Sequence, residues 1–370
     1  MNVLQIGKYY EPHLGGIENV MYSMCHFLKK NHLVTALVYN KSLKSESFND
    51  KGVKVFKVGI ICRLRSQPIP LGLSKKIEEL SIEADIIHIH SPNPIAELQY
   101  LLINPKKKLI VTYHSDVTRQ KILLNFYKPI IIKLLERSDV IIATSKQYAE
   151  HSPILSKYLN KIKVVPLGLE PSIYLKYDKK TVKSIKKKYG PNIVLFVGRL
   201  VAFKGVKYAI RAMEDCSDTN LLIVGSGPEE KKLKLLTKRL KLTNIQFIGQ
   251  ISDKKELVNY LHACDIFVFP SISRNESFGL SQLEAMACGK PVIGTKLESG
   301  TCYVNQHNKT GLIVAPKNPE AISISIKDLI RNVKKRRKFG LNAKKRFLKY
   351  FTLNQALRKT EDVYNEVLVD

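Results

Sequence analysis

Two glutamates, Glu276 and Glu284, stand out because seven residues separate them in a segment rich in small side chains. The segment follows the apolar run Ile266–Pro270, and its spacing predicts a helix from Phe278 to Cys288. The unpaired backbone N–H groups at the start of a helix carry partial positive charge and bind anions. Either glutamate alone would be typical of a solvated helix, but the whole segment favours a site for an anion and for sugar hydroxyls. The residues that would form it are Glu276, Ser277, Phe278, Gly279, Leu280 and Glu284.

Arg199 and Lys204 form a second candidate site, because they follow another apolar run, Ile193–Gly198. Two fixed cations opposite a departing diphosphate would stabilise the negative charge that develops on it. In so basic a chain, two ordinary surface cations are the simpler explanation of these residues taken alone.

Glycines in other loops could let the backbone approach a phosphate closely. Gly15 and Gly16 lie in the first loop and open a predicted helix. Gly7 and Gly15 are too far apart for a G-x-G-x-x-G motif, which disfavours a nicotinamide cofactor. The other loop residues suited to a diphosphate and a base are Gly198, Gly225, Ser226 and Ile251.

His114 ends the apolar run Leu109–His114. A histidine in this position could face a substrate or be a hydrogen-bonded core residue, and its position fits both. Asp116 could position an acceptor or cap the next helix.

All these residues follow short apolar runs that are rich in β-branched side chains. Continuous apolar runs, separated by amphipathic polar stretches, predict parallel strands covered by helices on both faces, so the fold class is α/β. Ligands bind beyond the carboxyl ends of such strands. The seam between two domains falls between Leu167 and Gly190, which predicts domains at 1–168 (joined by a C-terminal helix, 352–370) and 169–351. The runs are Val3–Ile6, Leu33–Tyr39, Lys54–Val58, Asp85–His90, Leu109–His114, Val140–Ser145, Lys163–Pro166, Ile193–Gly198, Leu221–Gly225, Ile245–Gly249, Ile266–Pro270, Pro291–Thr295 and Gly311–Val314.

The string ESFG…EAMACGKPVI, which begins at Glu276, resembles the paired-glutamate motif of family 4 glycosyltransferases. Phe196–Gly205 is similar to the same family's G-R-L…K-G motif, and the resemblance covers essentially the whole chain. It implies two Rossmann-like domains facing across a cleft (the GT-B fold). It also implies transfer of a sugar from a nucleotide diphosphate donor with retention of anomeric configuration.

The resemblance also implies roles for individual residues. Glu276 and the amides after it would contact the donor sugar and diphosphate, Glu284 would hold the ribose, and backbone near Ile251 would meet the base. Arg199 and Lys204 would face the leaving group, Gly15 and Gly16 would form the N-terminal glycine loop, and His114 would face the donor sugar. The predicted catalytic residues are His114, Arg199, Lys204 and Glu276, with Asp116 on the acceptor side.

The segment Leu297–Val304 departs from the Gly-Gly-x-x-Glu found in many members of this family. This version, like YHSDVTRQK at Tyr113–Lys121, is similar to bacterial polysaccharide mannosyltransferases. The predicted reaction is therefore transfer of a hexose, with mannose from GDP-mannose as the best donor, to a lipid-linked or polysaccharide acceptor in surface glycan synthesis. No D-x-D triplet or metal-spaced cluster occurs, so neither a metal nor another cofactor is expected.

The formal charge of +29 is shared by both halves of the chain. The positive electrostatic potential of such a chain could attract nucleic acid, an anionic membrane or phosphorylated small molecules, and composition alone could also explain the charge.

The six cysteines form no C-x-x-C pair, and no apolar run reaches the roughly 18–20 residues that span a bilayer. We therefore expect a cytoplasmic protein. The mixed helix 119–135 and the basic segment Arg331–Lys349 would allow peripheral contact with the inner face of the membrane, although a core helix is an equal explanation for the former.

Three other functions remain open. A sugar-nucleotide epimerase of the same fold would convert the donor with no acceptor present. A nucleic-acid-binding protein is suggested by charge alone, but no recognition motif supports it, so no nucleic acid is expected as a partner. A non-catalytic family member is disfavoured because Glu276, Glu284, Arg199, Lys204 and His114 occur together.

Overall fold

The chain folds into two compact units, which the computed structural model describes over residues 1–10, 16–64, 67–116 and 121–369. One unit comprises Met1–Pro166 with Ala356–Asp370, and the other comprises Leu167–Gln355. The last helix, Leu353–Val369, therefore belongs mostly to the first unit.

The first unit is built on a sheet of short strands, as the apolar runs predict. The strands are β1 (Asn2–Ile6), β2 (Leu33–Tyr39), β3 (Glu46–Asp50), β4 (Val53–Val58), β5 (Ile60–Leu64), β6 (Gln67–Pro70), β7 (Ile86–Ser91), β8 (Lys108–Tyr113), β9 (Val140–Ala143) and β10 (Ile162–Val164). In the described part of the chain, eight of them form one sheet in the order β10-β9-β8-β7-β1-β2-β4-β3. Every residue of β7 is buried, as expected of a strand covered on both faces.

Two features of this unit are absent from the sequence prediction. Strand β3 pairs with β4 in the antiparallel sense, and β5 and β6 form a separate antiparallel hairpin. Four of the five residues of β3 are exposed, so it lacks the apolar run by which the other strands were predicted.

Helices cover the first sheet. They are α1 (Gly16–Leu28), α2 (Leu73–Glu83), α3 (Pro94–Ile103), α4 (Lys121–Arg137) and α5 (Lys146–His151), to which the last helix, α15 (Leu353–Val369), is added from the far end of the chain.

The second unit has a fully parallel sheet in its described residues. Its strands are β11 (Ile193–Val197), β12 (Asn220–Val224), β13 (Ile245–Gly249), β14 (Ile266–Phe269), β15 (Val292–Thr295) and β16 (Gly311–Val314), in the order β13-β12-β11-β14-β15-β16. Neighbouring residues of β11 pack into different hydrophobic clusters: Ile193 and Leu195 into one, Val194 and Phe196 into the other. Helices therefore bury both faces of this sheet.

The helices of the second unit are α6 (Pro171–Leu175), α7 (Lys179–Tyr189), α8 (Val206–Ala212), α9 (Glu230–Arg239), α10 (Lys254–Ala263), α11 (Leu280–Ala287), α12 (Thr301–Val304), α13 (Pro319–Arg331) and α14 (Val333–Tyr350). The prediction that a helix begins at Phe278 is wrong by two residues, since α11 begins at Leu280. Gly279 precedes it in the left-handed conformation, with φ of 84°, which a continuing right-handed helix cannot contain. Glu284 consequently lies about one turn into the helix.

Candidate active site

Backbone contacts bring together the loops that follow β11, β12 and β13. The Gly198 N–H donates to Val224 O at 3.0 Å, and the Gly225 N–H donates to Gly249 O at 2.7 Å. Gly225 has φ of 137°, and a Cβ atom there would lie 2.0 Å from the Gly198 carbonyl oxygen. Glycine at position 225 is therefore required for the close approach of its loop to the predicted loop residue Gly198.

Lys204 and Glu276, predicted from separate motifs, form an ion pair in the second unit. Glu276 is 8% exposed, and its Oε2 also accepts a hydrogen bond from Ser271 Oγ at 3.1 Å. The Lys204 ammonium lies 5.3 Å from the centre of the Phe269 ring. A partly buried charge pair thus joins the loop after β14, which carries Glu276, to the loop after β11, which carries Lys204.

Glu284 is held by two groups that the sequence analysis did not identify. Its Oε1 pairs with the ammonium of Lys254 and accepts a hydrogen bond from the Tyr174 hydroxyl at 3.1 Å. Burial, and after it the negative charge of Glu284, raises the pKa of Tyr174 well above its usual value, so the phenol remains a donor.

The segment before α11 is fixed by packing as well as by its backbone conformation. A Cβ atom on Gly279 would lie 2.6 Å from Phe269 Cζ. The Phe278 side chain is buried at 1% exposure, so any contact of this residue with a ligand would come from its amide. The Ser277 carbonyl accepts from the Gly300 N–H at 2.8 Å. The first amides of α11, from Leu280 onward, follow this fixed turn.

Arg199 differs from Lys204 in having an exposed side chain, and among the described residues no carboxylate pairs with it. Ser226 Oγ donates to Gln250 Oε1 at 2.9 Å in the adjoining loop. Ile251 follows Gln250 and packs, partly buried, against the core of the unit. Arg199 is thus a cation beside these loops for which the described part of the chain provides no counter-ion.

In the first unit, His114 follows the end of β8 and is buried, with 6% exposure. Its Nε2 lies 3.1 Å from Nδ1 of His90, and Nε2 of His90 lies 3.0 Å from Gln5 Oε1. Burial lowers the pKa of His114 to about 4 and that of His88, which stacks on His90, to about 3. These imidazoles are therefore neutral near pH 7.

Asp116, the predicted acceptor-side residue, is held by two hydroxyl groups of the first unit. The Asp116 carboxylate accepts from the Tyr113 hydroxyl at 3.1 Å and from Ser152 Oγ at 2.7 Å, which ties the end of β8 to α5. Gly16 begins α1, and Gly15 lies outside the described residues.

The residues missed by sequence reasoning share one property: they reach the site only through tertiary packing. Lys254 begins α10, and its position directly after a predicted binding loop was the one available signal. Tyr174 lies in the predicted boundary between the two domains, where the sequence gave no indication of a binding role. His88 and His90 alternate along β7 and so share a face, a pattern that the sequence does contain.

The described residues contain neither a metal-binding cluster nor a membrane-spanning helix. No group of three or more His, Cys, Asp or Glu side chains in that part of the chain could hold a metal ion. No helix there is long and apolar enough to cross a membrane.

Comparison with known proteins shows similarity over the whole length. A family model described as "Glycosyltransferase Family 4" matches residues 14–173, and one described as "Glycosyl transferases group 1" matches residues 178–346. The D-rhamnosyltransferase WbpZ of Pseudomonas aeruginosa is 33% identical over 95% of this chain and 92% of its own. The O-antigen chain mannosyltransferase C of Escherichia coli is 30% identical over 100% of this chain and 99% of its own.

Solved structures share the fold. HepE of Anabaena, crystallised in complex with UDP, superposes with a TM-score of 0.79 over 99% of this chain and 100% of its own, at 18% identity. At this low identity the match concerns the fold alone.

Proposed function

Because the chain belongs to the family 4 and group 1 glycosyltransferases, we propose that it transfers a hexose of mannose configuration from a nucleoside diphosphate donor to a glycan or lipid-linked acceptor. The predicted family, the glycosyltransferase activity and the α/β fold with two Rossmann-like units are confirmed by this membership and by the shared fold. The donor sugar, the acceptor and retention of configuration belong to the proposal. Surface polysaccharide assembly is the proposed context, since one relative is an O-antigen mannosyltransferase.

Two relatives support the mannose configuration. D-Rhamnose is the 6-deoxy form of D-mannose, so a D-rhamnosyltransferase and a mannosyltransferase act on sugars that differ only at C6. A donor site common to both would recognise the manno arrangement of the ring hydroxyls. GDP-mannose therefore remains the proposed donor.

The observation that carries the proposal is the Lys204–Glu276 pair beside Arg199. A diphosphate needs cations and amide donors, whereas a sugar needs carboxylate acceptors, and these loops offer both. Lys204 and Arg199 would stabilise the diphosphate as its bond to the sugar breaks, and Glu276 would accept from sugar hydroxyls. In this proposal the two cations and the helix amides supply the positive charge, without a metal ion.

The proposed step is balanced without an enzyme nucleophile. The bond between C1 of the sugar and the diphosphate oxygen breaks, and a bond from C1 to the acceptor oxygen forms on the same face. The acceptor's proton passes to the departing phosphate oxygen. Nucleoside diphosphate and the retained glycoside are the products.

A donor panel tests the proposal. Thermal unfolding is followed with GDP-mannose, GDP-D-rhamnose, UDP-glucose and UDP-N-acetylglucosamine, and a donor at 100 times its Kd should stabilise the chain by about 2.7 kcal/mol. We expect stabilisation by GDP-mannose, and transfer from it that persists in EDTA. Stabilisation by UDP sugars alone would overturn the donor assignment. Isomerisation of the donor without an acceptor would favour the epimerase instead.

We also propose that one face of α14 contacts an anionic membrane. The helix contains no acidic residue, and its exposed side chains recur at helical spacing. Leu341, in the middle of this face, is 62% exposed. In the first unit, Phe126 of α4 is 73% exposed beside Lys128, which suits the same partner. The exposed residues of the α14 face include Lys334, Arg337, Lys338, Leu341, Lys345 and Lys349.

Sedimentation with phosphatidylglycerol vesicles tests this surface. Replacing Arg337, Lys338 and Lys345 by Glu should weaken binding to the vesicles at least 100-fold, since each cation near the membrane surface contributes about 1 kcal/mol. The matched control replaces the exposed Lys180, Lys183 and Lys187 of α7 by Glu, which changes the net charge by the same amount. An equal loss in both variants would show that overall charge, and not the α14 face, binds the vesicles.

A further inference from the structure

Six buried polar side chains form a continuous hydrogen-bonded chain that ends at His114. From His114 Nε2 it passes to His90 Nδ1 at 3.1 Å, and from His90 Nε2 to Gln5 Oε1 at 3.0 Å. Gln5 Nε2 lies 2.7 Å from the Tyr364 hydroxyl, which contacts His88 Nδ1. His88 Nε2 lies 2.7 Å from Thr112 Oγ1. We call these six residues the histidine chain; its strands β1, β7 and β8 are neighbours or next-neighbours in the sheet, and Tyr364 comes from α15.

The histidine chain is isolated from water except near its ends. Gln5, His88 and Tyr364 have no exposed surface, whereas His114 retains 6% and Thr112 retains 4%. Burial holds the pKa of each histidine below its usual value, so each imidazole carries one N–H and one bare nitrogen. The Gln5 amide likewise has one donor end and one acceptor end.

Each hydrogen bond needs a donor at one end and an acceptor at the other. The hydrogen bonds of the histidine chain can therefore all run in either of two self-consistent directions. If Gln5 turns its oxygen to His90, then His90 donates from Nε2, accepts at Nδ1, and receives the N–H of His114 Nε2. If the amide is reversed, every bond reverses, and His114 carries its proton on Nδ1. The orientation of one amide therefore sets the tautomer of His114.

The sulfur of Met24 distinguishes the two directions. It lies 3.7 Å from Gln5 Nε2 and 3.4 Å from the Tyr364 hydroxyl. A thioether sulfur accepts hydrogen bonds and cannot donate one. It therefore favours the amide nitrogen of Gln5 on its own side and leaves the amide oxygen to His90.

We propose that Gln5 and His90 are positioning residues that keep Nδ1 of His114 unprotonated. Nδ1 makes no hydrogen bond to a described residue, so it is the acceptor that the chain presents to a substrate hydroxyl. This role rests on the proposed function, since it supposes that His114 contacts the substrate. Asp, Glu or water could orient a lone histidine, but here the orienting group is an amide that cannot ionise.

The tautomer can be observed directly. Long-range ¹H–¹⁵N correlation spectra of the protein labelled with ¹⁵N-histidine distinguish protonated from bare ring nitrogens, and His114→Asn identifies the signals of His114. At pH 7.5, without donor, we expect Nε2 to be protonated and Nδ1 to be bare. A proton on Nδ1, or averaging between the two forms, would overturn the proposal. This measurement uses no substrate, so its failure leaves the proposed function untouched.

Gln5→Glu tests the direction by reversing it. A carboxylate accepts from both neighbours, which lets His90 hold two protons and donate from Nδ1 to His114 Nε2. The titratable groups facing His90 and Gln5 are His88 on β7, His114 after β8 and Tyr364 on α15, with Cys25 of α1 beyond Tyr364. We expect His114 to move its proton to Nδ1 and kcat to fall at least tenfold.

The pH–rate profile separates positioning from structure. Gln5→Glu should show an ionisation between pH 6 and 8, from His90, that the wild type lacks, whereas Gln5→Met should lower kcat without one. A folded Gln5→Glu protein with the wild-type tautomer and wild-type profile would refute the positioning role. If this variant does not fold, the spectra of the wild type still decide the matter.

Discussion

Replacing Lys204 by Met tests the proposed chemistry most directly. Methionine keeps an unbranched apolar side chain against Phe269 and removes the charge that pairs with Glu276. At 4 Å and an effective dielectric of about 20, one charge contributes about 4 kcal/mol to an interaction with an anion. The loss of Lys204 also leaves Glu276 without its cation, which opposes the diphosphate charge further.

Part of this interaction exists before the reaction, because the donor already carries negative charge. We take about 2.7 kcal/mol as the part that grows in the transition state, as for one oxyanion donor, which corresponds to about a 100-fold fall in kcat. The donor KM should change much less.

The assay measures the initial rate of sugar transfer from saturating donor, with circular dichroism to show that the variants fold. Lys207→Met is the matched control, since Lys207 is exposed on α8 three residues away, and its rate should remain within threefold of wild type. Lys204→Met with Glu276→Gln should cost less than the sum of the single changes, because the two groups form a pair. A rate for Lys204→Met within threefold of wild type would refute the reasoning.

Three further predictions concern Glu284, the glycines of two binding loops and the buried histidines. Glu284→Gln should weaken GDP binding about tenfold in calorimetry, because a hydrogen bond to a charged group contributes about 1.5–3 kcal/mol; unchanged affinity would remove Glu284 from the site. Gly225→Ala should lower the free energy of unfolding by about 3 kcal/mol, and Gly249→Ala, which has positive φ but open space, by about 1 kcal/mol; equal losses would contradict the steric argument. Acidification from pH 6.5 to 4 should destabilise the protein, because histidines of the unfolded chain take up protons in this range, whereas buried His88 and His114 stay neutral until the pH reaches their lowered pKa values of about 3 and about 4. In chemical denaturation, His114→Asn should reduce the slope of the free energy of unfolding against pH by up to about 1.4 kcal/mol per pH unit. An unchanged slope would show that His114 is not buried as described.

The core strands were predictable because their signal is local. Each predicted apolar run coincides with a strand, and β7 and β11 are buried throughout because both sheet faces are covered. Strand β3 has no such run, and its conformation follows from pairing with β4. The start of α11 was misplaced for the opposite reason: Gly279 adopts a left-handed conformation that apolar spacing does not reveal.

The site was predictable in part, according to how each residue reaches it. Lys204 and Glu276 follow strands β11 and β14 closely, so the parallel topology alone places them at one edge. Lys254 and Tyr174 meet Glu284 across 30 and 110 residues of sequence, through the packing of α6 and α10. The histidine chain joins residues separated by as many as 359 positions, and no local pattern predicts such contacts.

The two glutamates of the second unit share an arrangement that bears on how a donor could bind. Each carboxylate pairs with one lysine and accepts from one neutral hydroxyl: Glu276 from Ser271, and Glu284 from Tyr174. A carboxylate has about four acceptor positions, and an ammonium has three donors. Each ion pair can therefore stay intact and still form hydrogen bonds to ligand hydroxyls or phosphate oxygens. Each pair is close to neutral by itself, whereas exposed Arg199, which has no carboxylate partner among the described residues, adds net positive charge beside these loops. Binding of the diphosphate should therefore depend chiefly on Arg199, whereas the paired Lys204 should act mainly on the charge that develops as the sugar leaves.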